Sequence, residues 1–315
     1  MADGRFHSGA SLGRELGVSR NAVWKHIRFL QQHQVDIHAV HGRGYRLAGV
    51  LELLSADAIR THMDESALPL AGRMDILAEV DSTNRYLITQ IGHGATRGDI
   101  CLAEYQSAGR GRQGRVWVSP FAANIYMSLL WHFPVGVEGL AGLSMAVGAS
   151  VLDACHQLGA EMVRLKWPND LVFRDSKLAG ILLELRSAAD GGCHVVIGVG
   201  MNVRMPARDM AQVEQSWTDL EQVMSRRLSR NEVAASILTQ LLKGLERFQC
   251  QGVSAFIEHW RRYDDLLDRP VILRTPAAVI DGIARGVDDY GALRVEHDGR
   301  LSKYLVGDVS VRARQ

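Results

Sequence analysis

A chain of 315 residues has room for two or three domains, and 47% hydrophobic with 23% charged residues is the composition of a soluble globular protein. Lys and Arg number 36 against 35 Asp and Glu, so a net charge of +1 excludes bulk attraction to nucleic acid or to an acidic membrane. Any nucleic-acid contact must come from a local patch.

The first residues, MADGRFHSG, lack the apolar core of a signal peptide, which predicts a cytoplasmic protein that engages no membrane. From Ser8 to Leu47 the cations Arg14, Arg20, Lys25, Arg28, Arg43 and Arg46 face only Glu15 and Asp36. Two helical patterns meet at Gly17-Val18-Ser19, where glycine stops the first and Ser19 caps the second, the spacing of a helix-turn-helix. In the second helix Val23, Ile27 and Leu30 share one face. Arg20, Asn21, Trp24, Lys25 and Arg28 share the other, which is shaped to enter a major groove. Strands at 35–40 and 45–47 flank HGRG, a wing that carries Arg43 toward phosphate. The predicted DNA-contacting set is Arg20, Asn21, Lys25, Arg28 and Arg43. Only seven residues precede Ser8, so the helix that usually comes before such a pair is expected to be missing.

A linker helix is expected over Leu51 to Asp64, followed by alternating strands and helices to about residue 268, a mixed α and β unit. Predicted strands are 74–80, 100–105, 125–132, 171–173, 178–185 and 194–199. Predicted helices are 84–91, 138–158 and 230–250. The stretch from Gly139 to Leu152 is apolar for about 14 residues, short of the roughly 20 that span a bilayer, and reads as a buried helix. Cys101, Cys155, Cys193 and Cys250 lack metal or disulfide spacing and are expected to be reduced core thiols. From Arg269 onward, Asp281-Gly282, Asp289-Tyr290-Gly291 and Asp298-Gly299 punctuate short strands, which predicts a small β-barrel.

Two clusters carry the chemistry. GRGRQGR, Gly109 to Arg115, can converge backbone amides and guanidinium groups on an anion. It also satisfies G-x-G-x-x-G, which raises a nicotinamide-dependent oxidoreductase as a rival. A Rossmann loop must open into a helix, whereas Val116-Trp117-Val118-Ser119-Pro120 is β-rich and ends at proline, so that rival is disfavoured. KWPND, Lys166 to Asp170, with Lys177 beyond it, complements an adenylate. Trp167 or Trp117 can cover a base, Asn169 and Asp170 can meet polar edges or hold Mg2+ through water, and the lysines can neutralise phosphate.

DSTN at Asp81 to Asn84, EYQSAGRGRQGR at Glu104 to Arg115, KWPND, and GVGMN at Gly198 to Asn202 occur in that order. With them the chain resembles, along essentially its whole length, the bifunctional biotin protein ligase and biotin operon repressor family. The resemblance implies an α+β protein in three parts: a winged helix-turn-helix over 1–50, a class II synthetase-like ligase domain over 51–268, and an SH3-like β-barrel over 269–315. It implies that biotin and ATP, with Mg2+, form biotinyl-5'-AMP, from which biotin passes to a lysine of the biotin carboxyl carrier protein of acetyl-CoA carboxylase. It further implies repression at a biotin operator and a homodimer when adenylate is bound.

Carried over by position, the biotin site falls on Ser82, Thr83, Asn84, Gln106, Arg110, Gly111, Arg112 and Lys177. The nucleotide site falls on Trp117, Lys166, Asn169, Asp170 and Asn202. Biotin's ureido ring needs hydroxyl and amide partners, which Ser82, Thr83, Asn84 and Gln106 can supply. Gly198-Val199-Gly200 and the strand around Ala179 are expected to form its apolar wall. Arg112, Lys177 and Asp170 are the catalytic candidates, with no direct protein ligand to the metal. A lipoate ligase, which needs no ureido partners, and a ligase-inactive biotin-sensing repressor are the remaining alternatives.

Overall fold

The computed structural model describes residues 3–33, 35–49, 51–206, 215–275, 278–305 and 310–313. Helix α1 (Gly9–Leu16) starts where the Ser8 Oγ accepts the Ser11 amide at 3.0 Å and stops at Gly17, whose φ of 65° is left-handed. Ser19 caps α2 (Arg20–Gln32) through the Ala22 amide at 3.1 Å. Strands β1 (Ile37–Val40) and β2 (Gly44–Leu47) form the expected wing, and His7 pairs with Tyr45 at its outer edge. Leu12, Val23 and Ile27 make a small core, with Ile37 and Tyr45 packed on it. This unit touches the next through the end of α2: the His33 ring lies 4.4 Å from that of Tyr105, and Phe29 lies 6.2 Å from Phe121.

The expected linker helix is shorter than its pattern. Residues 51–55 carry no regular structure, and α3 (Ala56–His62) belongs to the central unit, because its Ile59 is fully buried there. That unit runs β3 (Met74–Leu77), α4 (Thr83–Ile91), β4 (Ile100–Ala103), β5 (Ile125–Phe133), α5 (Leu143–Gln157), β6 (Arg164–Lys166), β7 (Asp170–Phe173), β8 (Ser176–Ser187), β9 (Cys193–Met201), α6 (Leu220–Met224), α7 (Arg230–Gln251) and α8 (Ser254–Tyr263). Its strands form one sheet in the order β3-β4-β5-β9-β8-β7-β6, parallel only between β3 and β4. The main core lies on one face, under α5 and α7. On the other face α4 covers only part of the sheet, through Leu87 on Cys101, Leu130 and Val196. The uncovered part of that face is where a ligand site can form.

Several expectations change. The helix predicted over 138–158 breaks at Gly142, φ 79°, into a 3-10 turn (Val137–Leu140) and the buried α5. The three-residue strand β6 is too short to show a period, and Leu165 is held there by a parallel bridge to Asp264. Cys101, Cys155 and Cys193 are buried and all four thiols are free, but Cys250 is exposed, because the end of α7 runs past the core.

The C-terminal unit comprises β10 (Pro270–Arg274), β11 (Val279–Val287), β12 (Leu293–His297), β13 (Arg300–Tyr304) and β14 (Ser310–Ala313), antiparallel in the order β13-β12-β11-β10-β14. Asp281-Gly282 is not a turn but lies inside β11, where a Cβ at position 282 would meet the Glu296 carbonyl at 2.6 Å. Close approach of β12, rather than a reversal, requires that glycine.

Candidate active site

Cross-strand register builds the floor of the site. Lys166, Asp170, Gly180, Gly200 and Tyr126 are successive partners across β6, β7, β8, β9 and β5. Partners in a ladder point to one face, here the face shared with α4. The two glycines leave a shallow bed, and Trp117 lies in it: a Cβ on Gly200 would sit 2.6 Å from the Trp117 ring. A register shift between β7 and β8 turns Lys177 onto the same face, where its Nζ lies 2.8 Å from Asp170 Oδ1 and 5.5 Å from the Trp117 ring centre.

Above this floor opens a cleft of about 1010 Å³. All thirteen residues predicted for biotin and nucleotide line it, although they come from widely separated parts of the chain. Arg112 Nη1 donates to Asn169 Oδ1 at 3.1 Å, which ties the arginine loop to the KWPND turn. Asn169 Nδ2 in turn donates to the Ile181 carbonyl at 2.6 Å. At the far end the Gln106 side-chain carbonyl accepts from the Thr83 amide at 2.9 Å and from its hydroxyl at 3.2 Å. Asn202 is buried, with its amide on the Thr218 carbonyl at 3.0 Å.

Some expectations need correction. Trp167 is only 1% exposed, and its indole donates to the Gly291 carbonyl at 3.2 Å, so it anchors the C-terminal unit and Trp117 is the tryptophan free to cover a base. Ala179 and Val199 point into the main core, because side chains alternate along a strand. The bed therefore consists of Gly180, Gly198 and Gly200. Arg43 is exposed as expected, yet its guanidinium stacks 4.6 Å over Phe6. Arg20, Asn21, Lys25 and Arg28 are all exposed on α2.

Residues behind and at the edge of the cleft escaped the sequence reading. Glu184 accepts from Arg110 at 3.1 Å and from Asn84 at 2.8 Å, so it orients two predicted ligand contacts at once. An acid on the ligand face of a strand otherwise rich in leucine was the available signal. The Ser128 hydroxyl donates to Asn84 Oδ1 at 2.6 Å and lies within hydrogen-bond distance, 2.7 Å, of the Thr83 hydroxyl. From the C-terminal unit Ile272 and Arg274 line the cleft, as does Arg269, which is paired with Asp175 at 2.6 Å.

The chain is 42% identical over 313 residues to the bifunctional ligase/repressor BirA of Salmonella typhimurium, covering 99% of this chain and 95% of that protein. Residues 77–202 match the biotin/lipoate A/B protein ligase family. The chain belongs to that family. Residues 1–46 match an HTH domain, and residues 266–312 match the biotin protein ligase C-terminal domain. The Escherichia coli relative of the same name is 41% identical over the same shares of both chains. Among solved structures, the biotin protein ligase from Aquifex aeolicus in complex with biotin and ATP matches 77% of this chain and 99% of its own, at 26% identity and a TM-score of 0.66. The protein is thus a biotin protein ligase with an N-terminal DNA-binding repressor domain, a central mixed α and β ligase domain and a C-terminal barrel. The oxidoreductase alternative is set aside.

Proposed function

We propose that this cleft joins biotin to ATP and that Arg112 and Lys177 carry the first step. One observation supports this above all: two cations 65 positions apart in sequence border a single cleft, one bonded to Asn169 and the other to Asp170. The biotin carboxylate attacks the α-phosphorus of ATP, a bond to oxygen forms, and pyrophosphate leaves. Two anions must approach, so the chemical demand is charge neutralisation and alignment. Arg112 and Lys177 supply the charge. Ser82, Thr83, Asn84, Gln106, Arg110 and Gly111 hold the ureido and valerate ends, and Glu184 and Ser128 orient Asn84. Trp117, Lys166, Asn169, Asp170 and Asn202 hold the nucleotide. The polar set around Thr83 and Gln106 favours a ureido ring over a lipoyl chain.

Mg2+ would enter this cleft with the nucleotide, where Asp170, a carboxylate on the glycine floor already paired with Lys177 at 2.8 Å, would meet it through water, and the ion would help neutralise the phosphate charge. In the second step the amine of an acceptor lysine on the biotin carboxyl carrier protein attacks the acyl carbon, and AMP leaves. The lysine side chain, an ammonium of ordinary pKa about 10.4, must first lose a proton, with Asp170 or solvent as acceptor.

The units are assigned to 1–50, 51–268 and 269–315, in keeping with the matched segments. Operator DNA is the partner of the first unit, through Arg20, Asn21, Lys25, Arg28 and Arg43. Helix-turn-helix proteins read paired half-sites, which supports a homodimer in the adenylate-bound state. Four free thiols support a cytoplasmic setting.

The test is Arg112→Gly. The arginine loop is expected to close over a water-sensitive adenylate, so the variant, with Lys177 as the one remaining cation of the pair, should form biotinyl-5'-AMP more slowly than wild type, and should release what it forms and label lysines indiscriminately. A variant that retains the adenylate as wild type does would refute the assignment.

A further inference from the structure

Helix α2 displays one large apolar side chain on an otherwise polar face. Trp24 is 50% exposed, and the Arg28 guanidinium lies 5.3 Å from the centre of its ring. Arg20, Asn21 and Lys25 surround it, all exposed, and the helix contains no acidic residue. The other faces of α2 are committed. Val23 and Ile27 fill the small core, while Phe29 and His33 meet Phe121 and Tyr105. Trp24 is therefore an unpacked aromatic ringed by cations, in the N-terminal half of the second helix of a helix-turn-helix. That half of such a helix meets base edges, and the surrounding charge complements a polyanion.

The chemistry of the groove then selects the base. Among the four base pairs, only thymine presents an apolar group, its C5-methyl, on the major-groove edge. A flat indole offers a broad apolar surface to that methyl. The Arg28 cation over the ring holds the side chain in place before binding, which lowers the ordering cost. We propose that Trp24 is a specificity residue of the repressor domain, reading thymine methyl groups in the operator while Arg28 braces it. This rests on the reading that α2 enters the major groove.

The experiment uses the full chain with biotin and ATP to select from a pool of random duplexes. The enriched duplex is then rebuilt with deoxyuridine replacing each enriched thymidine in turn, which deletes one methyl and nothing else. At one or two positions the wild-type protein should bind about fourfold more weakly, the equivalent of about 0.8 kcal/mol for one buried methyl. Trp24→Gln should lose that dependence while keeping the same salt slope, because no charge has changed. Its melting temperature and ligase activity should match wild type. If every deoxyuridine substitution affects both proteins equally, or if Trp24→Gln selects the wild-type sequence with wild-type affinity, the inference fails and the groove reading stands. If the full chain enriches no sequence, the groove reading itself falls and takes this inference with it. A Trp24→Gln variant that shifts self-association without DNA, and leaves base preference intact, would instead assign the residue to a protein contact and overturn the proposal.

Discussion

Arg230 should be the residue outside the cleft whose loss the fold tolerates least. It is 2% exposed at the start of α7, and all three nitrogens of its guanidinium donate: Nη1 reaches Glu104 at 2.7 Å and the Glu52 carbonyl at 2.9 Å, while Nε and Nη2 reach the Asn124 carbonyl at 3.1 and 2.9 Å. Arg230→Met preserves much of the stem but strands Glu104, 4% exposed, with the Leu54 amide at 2.6 Å as its remaining hydrogen-bond donor. Removing one partner of a buried pair costs about 3–5 kcal/mol. At about 2–4 °C per kcal/mol, the melting temperature of the central unit should drop by roughly 6–20 °C. The double variant Arg230→Met/Glu104→Gln removes the stranded charge and should recover part of the loss, giving a coupling energy of about 1 kcal/mol or more in a thermal or urea double-mutant cycle. Glu104 stands two residues before Gln106, so the biotin KM of Arg230→Met should rise as well. Loss of less than about 1 kcal/mol, or strictly additive effects, would refute the reasoning.

Further outcomes follow from the same geometry. Gly200→Ala places a methyl within 2.6–2.9 Å of three Trp117 ring atoms, and overpacking of about 1–3 kcal/mol should lower kcat/KM for ATP roughly 5- to 150-fold in pyrophosphate exchange. A change under about twofold would mean that Trp117 yields freely. Burial pushes the Asp264 carboxyl up to about 6, so the folded state holds a proton that the unfolded chain gives up near the ordinary aspartate value of 3.8. Stability should therefore decline between about pH 4 and 6 on this account, and Asp264→Asn should raise the melting temperature more at pH 8 than at pH 4. Equal gains at both pH values would count against it. Loss of Lys25 or of Arg28 should each lower the slope of log K against log salt for operator binding by about one, and unchanged slopes would leave α2 as a solvated surface.

Local chemistry was legible in the sequence alone. Ser8, Ser19 and Gly17 start and stop helices through contacts within a few residues, so their roles survive without tertiary context. The GRGRQGR and KWPND segments declared their charge and polarity for the same reason, and their order along the chain carried the family resemblance. What the folded chain alone decided is which residues face each other. Register across five strands brings Lys166, Asp170, Gly180, Gly200 and Tyr126 into one row, and no run of sequence encodes that row. Asp281-Gly282 reads as a turn because glycine permits reversal, whereas in the fold that glycine admits a neighbouring strand. Trp167 and Trp117 are chemically identical, yet Gly291 of the barrel claims one while the glycine bed receives the other. Side-chain type sets what a residue can do, and long-range packing sets which partner it meets.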